Sequence, residues 1–436
     1  MPGLKRVAWF YCDLDQSGGS QRLSLEGCRV LQERGIESPF LLLRARDPSA
    51  VFDGKYRPAL VSRGRGEDSA GSAGPRILRA LRDLCRDASD ALWLRRTLRR
   101  LRPDYLLTEA TGGALVHAYL ATLGTGIPCA VQVAGSIFAL DVRGERTRHA
   151  LVFRSRREEI LDSMPGYRES APKRPAGLDL PKRLWVEGHA LLKVLALRHA
   201  AAVFVHSSQN AWEVGRLYGR EACVLKGAFP ESIFEHGKGA DIRARLGLEG
   251  RKVVLALNRL AEQKRLDLCL RAFARLRERR KDAVLLIAGR SYRSDAFQTP
   301  SSELERLAAE LGVGEHVRFL GYVPEKELWD TYLACDVFLH MDRANFDIVP
   351  YEALALGRKV VWSSEMELDA ELSSLGRVYP AEPDPESAAR ALDLALEAPC
   401  LPLDEKGRRV LSRYTWEEYF RRMLDELERI GVRPLH

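Results

Sequence analysis

The chain has 436 residues, of which 46% are hydrophobic and 29% are charged. This length and composition are typical of a soluble globular protein of two domains, and with no apolar run near the roughly 18–20 residues of a membrane span they exclude an integral membrane protein. The 68 Lys and Arg outnumber the 60 Asp and Glu and give a net charge of +8, which favours phosphates, acidic lipids or nucleic acid as partners, although an arginine-rich composition raises the charge without any such partner.

The cysteines and the N-terminus indicate a reducing compartment. The eight Cys are scattered and no Cys-x-x-Cys pair occurs, so neither a metal knuckle nor a disulfide framework is expected. The first residues run directly into a strand without a secretory apolar region. We therefore expect a cytoplasmic protein.

The first half alternates strand and helix patterns, as in a parallel sheet covered on both faces. A Gly-Gly turn and a helix over 21–34 follow the first strand. Predicted strands lie at 6–11, 40–43, 105–107, 129–133 and 201–205. Two stretches interrupt the alternation: 63–75 is predicted to be a loop, and 141–183 is a long excursion, basic early and Pro-rich late, without a predicted element.

Residues 76–102 are predicted to form one or two helices, in which a stripe of Leu is flanked by Arg. The ordinary interpretation is a helix that covers the core and has a solvated basic face. The alternative is attachment to an anionic membrane surface, at roughly 1 kcal/mol per basic side chain near the surface.

The second half is more regular. Predicted strands lie at 252–257, 284–288, 317–320, 337–339 and 359–362, with helices between them. The pattern restarts near 226–230, so we place an N-terminal domain at 1–228, which includes the excursion 141–183, and a C-terminal domain at 229–410. The tail, 411–436, carries apolar residues at helical spacing and is expected to pack back on the N-terminal domain.

Two cations and a carboxylate follow strands of the second half. The strand over 252–257 ends at Asn258-Arg259, Lys264 lies on the turn into the next helix, and Glu352 follows after three more strand–helix alternations. Because the ends of parallel strands meet at one edge of a sheet, these side chains are expected to face one crevice. They suit a ligand with a diphosphate in its middle and hydroxyls at its ends, such as a nucleotide-sugar.

Residues 250–400 resemble family 4 of the retaining glycosyltransferases, also described as glycosyl transferases group 1. The resemblance is carried, in order, by Asn258-Arg259-Leu260 with Lys264, by Leu286-Ile287-Ala288-Gly289, by Val317-Arg318-Phe319-Leu320-Gly321-Tyr322-Val323-Pro324, by Cys335-Asp336-Val337-Phe338-Leu339 and by Pro350-Tyr351-Glu352-Ala353-Leu354-Ala355-Leu356-Gly357. It implies the α/β GT-B fold, in which two Rossmann-like parallel-sheet domains face an inter-domain cleft. The N-terminal domain would bind the acceptor, and the C-terminal domain the nucleotide-sugar donor.

By this resemblance Arg259, Lys264 and Glu352 are the catalytic candidates. The two cations would stabilise the departing nucleoside diphosphate without a metal, because negative charge grows on the leaving oxygen. Glu352 would accept hydrogen bonds from the ribose hydroxyls, as the second Glu of the family's Glu-x7-Glu motif. The competing interpretation is that all three are ordinary charged residues at helix starts.

The first Glu of that motif is missing, because Ala344 occupies its position. Asp342, Asn345 or Asp347 could take over its contact with the donor sugar. If none does, the sugar is expected to be unusual, such as a deoxy sugar, or the domain to be inactive. Asp347 itself stands where the family usually has Gly, which would make the approach of the donor to the backbone less close.

Other donor contacts follow from the resemblance. Main-chain groups of the turn after the third strand of this half would line the nucleobase, and amides at a helix start would approach the donor. The donor-binding candidates are Gly18 and Gly19 in the first half and Arg290, Tyr322, Val323, Asn345, Phe346, Asp347 and Ile348 in the second.

The acceptor candidates lie in the first half, where the resemblance is weakest. They are Arg22, Glu109, His117 and Ser136. The family often carries His where this chain has Ala134, and His117 is the candidate replacement. Each has an ordinary alternative: a surface cation, a helix cap or a packed helix histidine.

The function implied is transfer of a hexosyl or deoxyhexosyl group from a nucleoside-diphosphate sugar to an acceptor, with retention. The acceptor would be a lipid-linked or cell-envelope glycan, as in polysaccharide biosynthesis, or a secondary metabolite. No metal or other cofactor is expected, and the enzyme would be cytoplasmic, or peripheral on the inner face of the cytoplasmic membrane if 76–102 binds lipid.

Two alternatives stay open: a non-catalytic nucleotide-sugar-binding partner subunit, suggested by Ala344 and Ala134, and a nucleotide-sugar epimerase of the same fold. Nucleic acid is not expected as a partner, because the basic stretches lack interleaved aromatic residues. The sequence does not determine the donor base, the sugar, the acceptor or the oligomeric state.

Overall fold

The computed structural model describes residues 4–13, 19–44, 59–63, 76–110, 113–135, 150–163, 180–237, 241–291, 299–343 and 346–431. The chain divides into two compact units. The first contains Met1–Lys226 and Tyr419–His436, and the second contains Gly227–Glu418.

The first unit is built on a seven-stranded sheet in the order β3-β2-β1-β4-β5-β6-β7, in which every pair is parallel. The strands are β1 (Val7–Asp13), β2 (Phe40–Arg44), β3 (Leu60–Ser62), β4 (Tyr105–Glu109), β5 (Cys129–Val133), β6 (Ala202–Val205) and β7 (Cys223–Val224). The central strands are almost fully buried, as expected for a parallel sheet with helices on both faces.

Helices connect these strands. They are α1 (Gly19–Glu33), α2 (Arg76–Leu101), α3 (Ala114–Thr122), α4 (Arg157–Ser163), α5 (Leu180–His199) and α6 (Ser208–Tyr218). The predicted pair of helices over 76–102 is therefore a single helix. The excursion over 141–183 was predicted to lack regular structure, and this is wrong for its described part, which contains a short 3₁₀ turn at Leu151–Phe153, α4 and the start of α5.

The second unit is built on a six-stranded parallel sheet in the order β10-β9-β8-β11-β12-β13. The strands are β8 (Lys252–Leu257), β9 (Ala283–Ala288), β10 (Val317–Gly321), β11 (Val337–His340), β12 (Lys359–Ser363) and β13 (Val378–Ala381). Two parallel-sheet, Rossmann-like domains were predicted from the alternation of strands and helices, and this prediction is confirmed.

The helices of the second unit cover both faces of its sheet. They are α7 (Ile242–Leu246), α8 (Leu266–Arg279), α9 (Ser301–Glu310), α10 (Glu325–Leu333), α11 (Val349–Ala355), α12 (Ala370–Ser373), α13 (Pro385–Glu397) and α14 (Glu405–Leu411). Successive residues of β8 face opposite sides, so that Val254 and Ala256 join one core and Val253 and Leu255 join the other.

The last helix, α15 (Trp416–Gly431), packs against the first sheet from Tyr419 onward. Its apolar face is fully buried, and the ring of Phe420 meets that of Trp9 edge-on at 6.1 Å. The hydroxyl of Tyr105 donates to the carbonyl of Leu427 at 2.7 Å. No helix in the described part of the chain has both the length and the apolarity to cross a membrane.

Candidate functional site

The site begins where β8, β9 and β10 end. Gly289, directly after β9, has φ +138, and a Cβ there would lie 1.8 Å from the carbonyl oxygen of Asn258. Its amide donates to the carbonyl of Gly321 at 2.7 Å. Only glycine permits this close approach, which brings three strand ends together at one edge of the sheet.

Asn258 links the end of β8 to the loop before α11. Its side-chain amide donates to Oδ2 of Asp347 at 2.9 Å, and its Oδ1 accepts from the backbone amide of Arg259 at 2.9 Å. Because β8 and β11 are neighbours in the sheet, the residues after β11 reach the same edge. Asn258 therefore fixes the position of Asp347 relative to the predicted cation Arg259, which is half-buried.

Lys264 lies buried between two carboxylates. Its ammonium group pairs with Asp342, which is fully buried, and lies 2.6 Å from Oδ2 of Asp347. Burial alone would lower the pKa of Lys264, but the two aspartates outweigh it and raise the pKa. In the same way burial would raise the pKa of Asp347, whereas Lys264 and Asn258 hold it below its usual range. The expected cation is thus already neutralised by the protein.

His340 completes this cluster at the end of β11. Its Nε2 lies 3.8 Å from Oδ2 of Asp347, and burial lowers its pKa. His340, Asp342 and Asp347 each present a possible metal-ligand atom within 4.8 Å of one another. The ammonium of Lys264 occupies the position between the two carboxylates, so their charge is balanced without a metal ion.

Glu352 lies on α11 and is buried. Its Oε2 accepts a hydrogen bond from the hydroxyl of Tyr332 at 2.9 Å. This hydroxyl fixes the carboxylate from the side of α10. A carboxylate held in this way can accept from vicinal hydroxyls only with its remaining lone pairs.

The loop before α11 is capped by its own side chain. Oδ1 of Asp347 accepts from the backbone amide of Ile348 at 2.8 Å, one of the amides that were expected to approach a donor. The half-buried ring of Phe346 packs on Tyr351, with the ring centroids 5.1 Å apart. Ala344 and Asn345 lie outside the described residues.

Arg290 and Tyr322 form an exposed pair at the same sheet edge. The guanidinium of Arg290 lies over the ring of Tyr322, 4.3 Å from its centroid, and 51% of Tyr322 is exposed. Val323 packs at the margin of the core beneath. An exposed aromatic ring beside a cation offers a flat surface on which a base can stack.

In the first unit, two of the predicted residues, Gly18 and Ser136, lie outside the described residues. Gly19 begins α1, and Arg22 is half-buried on its first turn. Glu109 ends β4 and, after burial itself, is the main cause that raises the pKa of Tyr11.

His117 is buried on α3 and lies between two elements. Its Nδ1 lies 2.7 Å from the carbonyl oxygen of Gly113, and its Nε2 lies 3.5 Å from the carboxylate of Asp87 on α2. Burial lowers the pKa of His117, but Asp87 and the Cys12 thiol outweigh it and raise the pKa to about 10. His117 is thus ion-paired inside the first unit.

The sequence reasoning considered Asp342 and Asp347 as contacts of the sugar and missed that both bind Lys264. It also missed the links made by Asn258 and His340. A signal was present: an Asp replaces the family's Gly at 347 while a lysine follows the neighbouring strand.

Residues 239–415 match the sequence model of the family described as Glycosyl transferases group 1. The resemblance predicted from the motifs is therefore confirmed for this part of the chain, which corresponds closely to the second unit.

Curated relatives match parts of the chain. A mannosylfructose-phosphate synthase of Agrobacterium fabrum is 39% identical over 122 residues, which are 28% of this chain and 27% of the relative. A GDP-mannose-dependent alpha-(1-6)-phosphatidylinositol monomannoside mannosyltransferase of Mycolicibacterium smegmatis is 37% identical over 28% of this chain and 32% of the relative. A D-inositol 3-phosphate glycosyltransferase of Catenulispora acidiphila is 32% identical over 49% of this chain and 52% of the relative. The chain thus spans about half or less of these relatives' lengths.

Solved structures share the fold of the whole chain. Anabaena HepE in complex with UDP and glucose has a TM-score of 0.66 and 15% identity, over 98% of this chain and 99% of that one. A sucrose-phosphate synthase of Thermosynechococcus elongatus has a TM-score of 0.68 and 16% identity, over 98% of each chain. At these identities the likeness establishes the fold alone, and it confirms the predicted GT-B class.

Proposed function

We propose that this protein is a glycosyltransferase that transfers a sugar from a nucleoside-diphosphate sugar to an acceptor with retention of configuration. The observation that carries the proposal is the position of Arg259, Lys264 and Glu352. All three lie in the second unit, within the match to the group 1 glycosyl transferases. Arg259 and Lys264 follow β8 and Glu352 lies on α11, the helix that follows β11.

In this proposal Arg259 is the principal cation for the leaving diphosphate. An arginine presents two donors to phosphate oxygens at once, and stabilising the charge that develops on a leaving group is often the largest single contribution to catalysis. Lys264 contributes less, because it shares its charge with Asp342 and Asp347. Glu352 holds the ribose hydroxyls with the lone pairs that Tyr332 leaves.

The donor is a sugar nucleotide with UDP or GDP as the nucleotide. Support comes from a relative whose name includes GDP-mannose and from fold neighbours solved with UDP. Asp347, with 13% of its side chain exposed, replaces the carboxylate missing at Ala344 and grips the sugar through one hydroxyl fewer, which favours a hexose or deoxyhexose. No metal is required for this chemistry.

The acceptor is a lipid-linked or cell-envelope glycan or a secondary metabolite, and the first unit binds it. A relative whose name includes a phosphatidylinositol acceptor supports the lipid-linked case, as do the arginines on the described part of α2, Arg96, Arg99 and Arg100, which are exposed. On this basis the enzyme acts in the cytoplasm at the inner face of the membrane.

A second candidate is a non-catalytic nucleotide-sugar-binding partner subunit. The neutralised Lys264 favours it, because a cation held by two carboxylates adds little to leaving-group stabilisation.

Nucleoside diphosphate release tests the proposal. The purified protein is incubated with UDP- and GDP-sugars, with and without a lipid extract as acceptor, and UDP or GDP release is measured. We expect release with one donor, and a loss of about 10²–10³ in kcat/KM for Arg259→Gln. The matched control Arg275→Gln changes a cation on α8 whose side chain is 57% exposed, and its rate should equal that of the wild type.

The outcomes separate the candidates. Donor binding in a thermal-shift assay without release under any condition would favour the partner subunit. Conversion of the sugar nucleotide into an isomer without release of the diphosphate would identify an epimerase. Equal losses in the Arg259 and Arg275 variants would contradict the role of Arg259.

A further inference from the structure

Cys12, at the end of β1, lies beside His117. The Sγ atom is 3.9 Å from Nδ1 of the imidazole. Strands β1 and β4 are neighbours in the sheet, and the chain after β4 passes through Gly113 into α3. A Cβ at Gly113 would lie 3.2 Å from His117 Cε1 and 3.8 Å from Cys12 Sγ, so the small residue leaves room for this contact.

The position of one hydrogen follows from the carbonyl of Gly113. This oxygen lies 2.7 Å from Nδ1, and a carbonyl can only accept. Nδ1 therefore carries a hydrogen, and Cys12 faces a donor. A neutral thiol has no acceptor on this nitrogen, whereas an anionic sulfur accepts from it.

The opposite edge of the ring faces a carboxylate. Nε2 lies 3.5 Å from Oδ1 of Asp87, and 7% of His117 is exposed. The neighbouring Asp90 is already paired with Arg63, so Asp87 is the counter-ion of His117. A carboxylate on one edge and a sulfur on the other favour the imidazolium form.

We propose that Cys12 and His117 form a thiolate–imidazolium pair and that Cys12 is a site of covalent modification by small soft electrophiles such as hydrogen peroxide. With peroxide, the sulfur forms an S–O bond, the O–O bond breaks, and the departing hydroxide takes a proton to become water, which leaves a sulfenic acid. The oxidant comes from solution.

The other cysteines differ from Cys12 in their surroundings. Cys28, Cys269 and Cys335 are buried, and burial raises the pKa of each of these thiols to about 12. Cys85 and Cys400 are exposed. Cys400 belongs to the second unit, and it serves as a reference thiol within the same molecule.

Modification of Cys12 would place a new group at the carboxyl edge of the first sheet. If the first unit binds the acceptor, as the proposed function states, this group would obstruct acceptor binding. That consequence depends on the proposed function, whereas the reactivity of the thiol does not.

Competitive alkylation of the full-length protein tests the pair. The protein is treated briefly with limiting iodoacetamide at neutral pH, quenched and digested, and the alkylated fraction of each cysteine is measured by mass spectrometry. We expect Cys12 to react about tenfold faster than Cys400 despite its lower exposure. A Cys12 rate equal to or below that of Cys400 would overturn the proposal.

Two variants test the cause of the reactivity. His117→Gln should bring the Cys12 rate below that of Cys400, and Asp87→Asn, at a side chain that is 40% exposed, should reduce it severalfold without a risk to folding. Unchanged Cys12 rates in both variants would refute the pair. Asp87, Asp90 and His117 also present possible metal-ligand atoms, so a Cys12 rate that changes on adding EDTA would instead indicate a bound cation and overturn the imidazolium assignment.

Discussion

The ammonium of Lys264 lies 2.6 Å from Oδ2 of Asp347, a carboxylate at the position where the resembled family usually has glycine. The same ammonium pairs with Asp342, which is fully buried. A cation predicted to hold a diphosphate is therefore held by the protein itself. This relationship changes what a substitution at either residue should do.

Lys264→Ala should destabilise the protein strongly. It leaves two buried carboxylates without their counter-ion, which typically costs about 3–5 kcal/mol of unfolding free energy. Urea unfolding of the variant and the wild type measures the difference. The exposed Lys281 provides the control Lys281→Ala, and a loss in the Lys264 variant no larger than in this control would contradict the buried ion pair.

Asp347→Asn should tighten the binding of UDP or GDP. The change removes one of the two carboxylates that neutralise Lys264, so its charge becomes available to a diphosphate; about 1 kcal/mol corresponds to roughly fivefold in Kd. Calorimetric titration measures the affinity, and Asp267→Asn, at an exposed position, controls for net charge. If the sugar grip belongs to Asp347, turnover should fall in the same variant. Weaker diphosphate binding would show that the carboxylate does not compete for Lys264.

Two histidines of the first unit should make stability depend on pH in opposite directions. Burial lowers the pKa of His206 to about 4 from 6.5, so the unfolded state binds a proton first, and stability falls as the pH drops from about 6.5 to about 4. His117, with a pKa raised to about 10, contributes stability that is complete below about 6.5 and is lost as the pH rises towards 10.

Unfolding free energies of the wild type and His206→Phe across this acid range test the first half of that prediction. The slope attributable to His206 is at most about 1.4 kcal/mol per pH unit. The difference between the two curves should widen towards neutral pH, and parallel curves would show that His206 does not titrate in this way.

Gly289→Ala should disrupt the end of β9. Its Cβ would lie 1.8 Å from the carbonyl oxygen of Asn258, so the backbone must move, at about 3 kcal/mol or more. Gly312→Ala is the matched control, since it has φ +69 and nothing within 4 Å, and should cost only about 1–2 kcal/mol. Similar thermal unfolding midpoints for the two variants would contradict the close approach.

The alternation of buried strands and amphipathic helices was sufficient to predict both parallel sheets, because each strand carries its own pattern of burial. The short strand Leu60–Ser62 was missed, since its half-buried residues carry no such pattern. The motif around Arg259, Lys264 and Glu352 placed three site residues at the ends of their elements. Structure within the excursion over 141–183 was missed because its helices are short and charged.

The sequence by itself determined the fold class, the family resemblance of the second unit and the residues that follow β8 and β11. Only the tertiary structure decided which charges meet. The pairing of Lys264 with Asp342 and Asp347, and of His117 with Cys12 and Asp87, joins residues far apart in the chain. Local propensity sets elements, but the energy of a charge depends on burial and on neighbours that only the folded sheet brings within a few ångströms.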